Sequence, residues 1–365
     1  MYRTAATLAF SMLAIGAMAM PAGAINCDQT SNLPRPVPLG VSGGNINNFF
    51  SISRKEFCGS GTLGSMVQDQ SGSQYILSNN HVIADINRAK PGEAIVQPGL
   101  VDTAVNCTQN PGDAVATFTR TVKLNFGGGK NTIDAAIAAV MPGNVNAEIL
   151  NIGGIASAVA TPRLGLTVQK MGRTTCLTEG RIKAVSVNVN VSYSALGGGV
   201  AKFVNQIEIA GMDQTFASPG DSGSLIVTQD SCPRAVALLF AGTSKGSTIA
   251  NPISAVLKGL TVAMVGTCTP ASAASDTEQP EIEAGNPSVP TEGIESAIAV
   301  RDRHEDELMN IPGAVGTGIG IGDQSGQPEI RVYVKKLTQH ARVAVPKAVE
   351  GMPVEVIESG GFVAY

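Results

Sequence analysis

The chain has 365 residues, a formal net charge of −4, and 15% charged against 43% hydrophobic residues. That length exceeds one ordinary core and the composition is that of a globular chain. The mild acidic balance gives no electrostatic basis for nucleic acid or an anionic membrane as a partner. Gly is abundant at 42 residues, Trp is absent and aromatics make up 4%, a pattern that favours short strands and tight turns over long helices.

Residues 1–24 read as a secretory signal peptide: Arg3 precedes the apolar run Leu8 to Met20, and Pro21-Ala22-Gly23-Ala24 supplies a small-residue cleavage site. The run is shorter than the roughly 20 residues needed to span a bilayer. Removing this segment, which holds one basic and no acidic residue, takes the formal charge to −5. The expected location is secreted or periplasmic, where disulfides persist. All six cysteines (Cys27, Cys58, Cys107, Cys176, Cys232 and Cys268) follow the leader, and six allow 15 pairings. Neither a C-x-x-C nor an H-x-x-x-H spacing occurs, so no metal site is expected, and no cofactor is implied.

From Pro34 to about Val265 short apolar runs alternate with turn residues. Gly61 to Val67 and Gln74 to Ser78 read as strands, and Ala114 to Phe126 is β-prone. Val185, Val187, Val189 and Val191 alternate with polar residues, the period of a half-buried strand. Gly223 to Thr228 and Ala235 to Ala241 read as buried strands, and Ile253 to Leu260 as a short helix after Pro252. Such a series of strands predicts a β-sandwich or paired barrels over residues 25–268. Residues 269–292 are Pro/Ala/Ser-rich and acidic, an exposed linker. Residues 293–365 read as a small α/β unit: a helix carrying Ile294, Ala297, Ile298 and Leu308, then strands at 316–322, 329–334 and 353–358, with a helical turn near Lys347.

The chemistry-bearing segment is Pro219-Gly220-Asp221-Ser222-Gly223-Ser224. A serine hydroxyl attacks a carbonyl only when a base removes its proton and donors meet the oxyanion that forms. Those donors are expected to be the backbone N–H groups of Gly220 and Ser222. A bare Gly-Asp-Ser-Gly also fits an ordinary turn. Of three histidines, His304 and His340 fall beyond the linker, which leaves His81, after an apolar strand, as the candidate base; the alternative is a buried core histidine. Asp134 lies in the apolar run Thr132-Ile-Asp-Ala-Ala-Ile-Ala138. A carboxylate there needs a partner, and imidazole fits; the alternative is a turn cap. Asp102 and Asp113 stand in turn-like contexts and are weaker candidates. The order His81, Asp134, Ser222 is the chymotrypsin order, whereas an α/β-hydrolase needs its His last and a Gly where Ser224 stands.

The segments CGSGTLG, ILSNNHVIA, IDAAIA and SPGDSGSLIV, with Lys170-Met-Gly-Arg-Thr-Thr175, resemble the trypsin/chymotrypsin superfamily, closest to bacterial secreted trypsin-like peptidases carrying SNNHV, GRTT and GDSGS motifs. The likeness covers roughly Pro34 to Cys268. It implies an all-β protease domain of two six-stranded antiparallel barrels, with His81 and Asp134 from the first and Ser222 from the second as a catalytic triad. Two positions depart from the pattern: Val82 stands where many members have a cysteine, and Cys176 where GRTT is followed by Gly. The pairing expected within that frame is Cys58–Cys107, Cys176–Cys232 and Cys27–Cys268. Arg173 is taken as structural. By the same resemblance Phe216, six residues before the serine, lies at the base of the specificity pocket with Ala241 and Gly242 on the facing wall, which suggests an apolar or small side chain before the scissile bond; Asp213 could also reach the pocket. The segments IPGAVGTGIGIG, IRVYVKK and GMPVEVIESGGFVAY resemble a small domain attached to such peptidases, with a targeting, substrate-holding or self-inhibiting role. The expected activity is a secreted serine endopeptidase acting on a protein or peptide substrate. The alternatives are a catalytically silent binding protein on a protease scaffold, or a peptidase held inactive by its C-terminal domain. The oligomeric state is not written in the sequence.

Overall fold

The computed structural model describes residues 27–52, 55–269, 291–323 and 325–365. The expected signal peptide at 1–24 and nearly all of the linker at 269–292 lie outside those residues.

The predicted short strands form two antiparallel barrels. In the first, Ala263–Met264, Ser65–Gln68, Gln74–Ser78, Ala136–Val140, Ala114–Thr121, Ala94–Val96, Val41–Asn45 and Gly61–Leu63 follow in that order across one sheet. The run predicted as one strand from Gly61 to Val67 is two, Gly61–Leu63 and Ser65–Gln68, joined at Gly64. The Gly64 amide donates to the Leu77 carbonyl at 3.0 Å, and this bend carries the chain from Gly61–Leu63 at one edge of the sheet to Ser65–Gln68 near the other. Leu63, Ile76, Leu77, Val115 and Ile137 are fully buried in one hydrophobic cluster packed against this sheet. Each such side chain stabilises the fold by roughly 1.5–3 kcal/mol.

In the second barrel Val200–Gly211 pairs with both Thr248–Pro252 and Cys176–Ser192. Ala235–Gly242, Leu225–Thr228 and Thr167–Gly172 complete the ring. Its interior holds Val168, Ile182, Ile209, Ile226 and Leu239. The helix expected after Pro252 spans Ile253–Leu260.

Cys176–Ser192 is 17 residues long and outruns the barrel. Its distal half pairs with Ala314–Ile321 (Val185 opposite Ile319, Val189 opposite Gly316). Strands Pro328–Val334 and Met352–Glu358 continue the same sheet. The valine alternation at 185–191 supplies the buried face of this strand: Val187, Val189 and Val191 are buried in a cluster with Phe203, Phe240, Tyr333 and Phe362. Helix Thr291–Met309 lies against this sheet. Its fully buried Arg301 donates from Nη1 to the Ser186 carbonyl (2.6 Å) and from Nη2 to Ser186 Oγ (2.8 Å). The helical turn expected near Lys347 occurs earlier, at Gln339–Ala344. Thr338 caps it by accepting from the Ala341 amide, and Pro346 follows its end.

Three disulfides form. Cys58–Cys107 is as expected, whereas Cys27 pairs with Cys176 and Cys232 with Cys268. The expected Cys176–Cys232 and Cys27–Cys268 links are therefore exchanged, for a reason of chain path. The N-terminal segment runs to the second barrel, where Gln29 Nε2 donates to the Arg173 carbonyl (3.0 Å), bringing Cys27 to Cys176. The Ala156 amide donates to the Pro233 carbonyl and the Cys268 amide to the Ile155 carbonyl, so Cys232 and Cys268 meet beside the same segment.

Candidate functional site

His81 sits in the one-turn helix Asn80–Ile83 that follows strand Gln74–Ser78, and Asp134 stands two residues before the start of Ala136–Val140. Those two strands are neighbours with Ala136 opposite Ser78, so sheet register alone sets Asp134 beside residues 79–81. Asn79 fixes the approach by donating from Nδ2 to the Asp134 carbonyl (2.7 Å). The fully buried carboxylate of Asp134 then meets three donors. His81 Nδ1 lies 2.6 Å from Oδ2, the His81 amide donates to Oδ1 at 3.3 Å, and the Tyr193 hydroxyl donates to Oδ2 at 2.6 Å. Burial, then the neighbouring carboxylate, pushes the Tyr193 phenol well above its ordinary range, so it remains a donor. Its ring also packs edge-on against the imidazole, centroids 5.7 Å apart. The Asp134 amide donates to Asn251 Oδ1 (3.0 Å). Tyr193, Asn79 and Asn251 were not foreseen; Asn79 alone left a trace, as part of the SNNHV segment.

Ser222 lies on the loop between Phe216 and strand Leu225–Thr228, fully buried. Its carbonyl accepts from the Thr62 amide at 2.8 Å, which fastens the loop to the first barrel. Asp221, also fully buried, organises the loop: its carboxylate accepts from the amides of Thr174, Thr175 and Ser218 and from the Thr175 hydroxyl, at 2.8–3.1 Å. Buried Lys170 stands 3.9 Å away and donates to Thr175 Oγ1 and the Cys176 carbonyl. Burial lowers its pKa to about 8, against the opposing pull of Asp221. This explains the GRTT residues: Thr174 and Thr175 hold Asp221, and Arg173 makes a two-bond ion pair to Asp102 (2.6 and 2.7 Å). Gly220 has φ +103°, and a Cβ there would fall 2.4 Å from Thr174 Oγ1 and 2.6 Å from Arg173 Nη1, so only glycine fits. No protein acceptor among the described residues engages the amides of Gly220 and Ser222.

The two halves face each other across the cleft between the barrels, and both are engaged. Ser222 Oγ donates to the Phe240 carbonyl (3.1 Å), and His81 Nε2 lies 3.0 Å from the backbone oxygen of Tyr365, the last residue of the sequence. Among the described residues no imidazole–hydroxyl hydrogen bond joins His81 to Ser222. The other two histidines lie elsewhere: His304 pairs at the surface with Glu307 and Glu350, and His340 is exposed on helix Gln339–Ala344.

A cavity of about 730 Å³ opens beside the serine loop, lined by Thr215, Ala217, Ser218 and Pro219 on one side and Thr243 to Gly246 on the other, with Val363 and Tyr365. Phe216 is fully buried behind that wall, its ring 5.7 Å from Lys170 Nζ. Ala241 and Gly242 pair with Ala364 and Val363. Asp213 is exposed and does not line the cavity. Among the described residues no group of three or more His, Cys, Asp or Glu could hold a metal.

Two barrels with these side chains in the cleft decide the architecture. The scaffold is chymotrypsin-like. A family model described as the Nal1 C-terminal domain matches residues 136–255. The chain is similar to a solved glutamic acid specific serine protease (18% identity, TM-score 0.41, covering 63% of this chain and 100% of that one). It is also similar to Nocardiopsis protease (18%, 0.39, 61% and 97%) and to Cellulomonas bogoriensis chymotrypsin (18%, 0.38, 63% and 100%). No curated protein matches.

Proposed function

We propose that the chain is a serine endopeptidase that hydrolyses peptide bonds in a protein or peptide substrate through an acyl-enzyme. The observation that carries this is the buried Asp134–His81 pair, delivered by one barrel to the cleft that holds Ser222 of the other, with two unengaged amides at Gly220 and Ser222. Asp134 holds the Nδ1–H of His81, which leaves Nε2 as the proton acceptor once Tyr365 is displaced. Rotation of Ser222 away from the Phe240 carbonyl presents its hydroxyl to that nitrogen. The alkoxide attacks the substrate carbonyl, the Gly220 and Ser222 amides receive the oxyanion, and His81 returns the proton to the leaving amine. Water then repeats the sequence on the acyl-enzyme. The three disulfides accord with a secreted or periplasmic setting, and no described helix is long and apolar enough to cross a membrane.

The test is labelling with a serine-directed fluorophosphonate followed by hydrolysis of a peptide library. Wild type is expected to label and Ser222→Ala not, with kcat falling on the order of 10⁶-fold in the variant. Labelling elsewhere, or none in any form of the protein, would make the chain a binding protein on this scaffold.

A further inference from the structure

Phe362–Ala364 is a strand that enters the cleft. It runs antiparallel to Ala235–Gly242, with Ala364 opposite Ala241 and Val363 opposite Gly242, and parallel to the end of Cys176–Ser192. Tyr365 continues that ladder: its amide donates to the Phe240 carbonyl at 3.2 Å, the same oxygen that accepts from Ser222 Oγ. Its own backbone oxygen lies 3.0 Å from His81 Nε2. The side chain turns into the cavity beside the serine loop, and the phenol donates to the Thr243 carbonyl (3.1 Å). Gly242 makes room for the ring, because a Cβ there would stand 2.2 Å from Tyr365 Cζ. Burial, then the negative charge of Asp221, pushes this phenol up to about 12.

A peptide cut at Ser222 must bring one carbonyl carbon to Oγ and to the imidazole, with its backbone paired to the neighbouring strand and its side chain in the adjacent cavity. Tyr365 pairs its backbone with that strand, sets its side chain in the cavity and brings its backbone oxygen to the imidazole. We propose that Phe362–Tyr365 occupies the cleft as the acyl-side half of a substrate would, so that the pocket takes a tyrosine or phenylalanine before the scissile bond and the tail excludes other peptides while it is seated. The serine chemistry in this assignment rests on the peptidase proposal above; the occupancy of the subsites does not. The pocket is more specific than the apolar or small one suggested by sequence. The Thr243 carbonyl gives a polar end suited to a phenol, Ala217 and Gly242 leave width for a ring, and among the described residues no Asp or Glu side chain lines the cavity to attract Lys or Arg.

The experiment compares full-length wild type with Tyr365→Gly, which keeps the buried Phe362 anchor, and with a form lacking residues 362–365. Fluorophosphonate labelling is expected to be at least tenfold faster in both variants. Hydrolysis of Phe-Val-Ala-Xaa anilides should favour Xaa = Tyr or Phe at least tenfold over Ala, Glu or Lys. Free acetyl-Phe-Val-Ala-Tyr should inhibit the tail variants competitively. The same peptide is titrated calorimetrically into the form lacking residues 362–365 and carrying Ser222→Ala, where binding is read without turnover. Equal labelling rates with and without the tail, or no binding of the peptide to that combined variant, would overturn the assignment. Peptide binding with no labelling of any variant would keep the subsites and remove the peptidase.

Discussion

Two fully buried aspartates hold the two halves of the site, and they are satisfied in different ways. Asp134 is met chiefly by side chains, the imidazole of His81 and the phenol of Tyr193. Asp221 is met chiefly by backbone amides, with the buried ammonium of Lys170 nearby. A carboxylate held by fixed amides cannot follow a moving charge, so Asp221 shapes the loop. One held by an imidazole answers each proton that imidazole gains, so under the proposed function Asp134 is suited to the reaction itself.

Four changes bear on that contrast. The largest effect is expected for Asp221→Ala, which strands the Lys170 ammonium in the interior and should cost about 3–5 kcal/mol in urea denaturation; a change near zero would make the amide cage dispensable. Next is the pH dependence of the lysine itself. Its folded pKa of about 8 lies below the unfolded value of 10.5. Below pH 8 both states carry the proton; between 8 and 10.5 the unfolded chain carries more of it. Raising the pH through this window should therefore add stability from this group, up to about 3 kcal/mol. Thermal melts of wild type against Lys170→Met, which removes the titration, read that difference. Gly220→Ala forces a Cβ into Thr174 at positive φ and should cost roughly 1–3 kcal/mol, with peptidase activity falling further than stability because the amide is re-aimed. Tyr193→Phe removes one donor from Asp134 and should destabilise by about 1 kcal/mol. If side-chain partners tune the imidazole, this variant also shifts the acid limb of the kcat/KM profile, which a purely structural tyrosine would leave in place.

Local signals were legible where the determining contacts are local. Alternation marked strand Cys176–Ser192, Pro252 marked the start of the helix at Ile253, and the isolation of Asp134 in an apolar run marked a carboxylate needing a partner. Contacts created by barrel closure were not legible. Tyr193 reaches Asp134 from 59 residues away, past the end of a strand, and nothing in its neighbourhood distinguishes it from a core aromatic. Lys170 entered only as the first residue of the segment ending in GRTT, and nothing local marked it as buried. The cysteine partners failed for the same reason, since Cys27 is carried to Cys176 by a segment crossing between barrels. The tail is the extreme case: Phe-Val-Ala-Tyr entered only as the end of a segment resembling a small attached domain, and its place is set by a ladder to residues more than 120 positions earlier.

The tether of that tail is short. Ser359 is fixed by its amide to the Val334 carbonyl, and Gly360, at φ +79°, and Gly361 alone separate it from the strand in the cleft. A segment held on so brief a leash competes at an effective concentration on the order of millimolar, so a micromolar peptide faces an excess it cannot displace by mass action alone. Turnover in such a molecule would be governed by how often the leash lets go, and would rise with anything that captures the released strand.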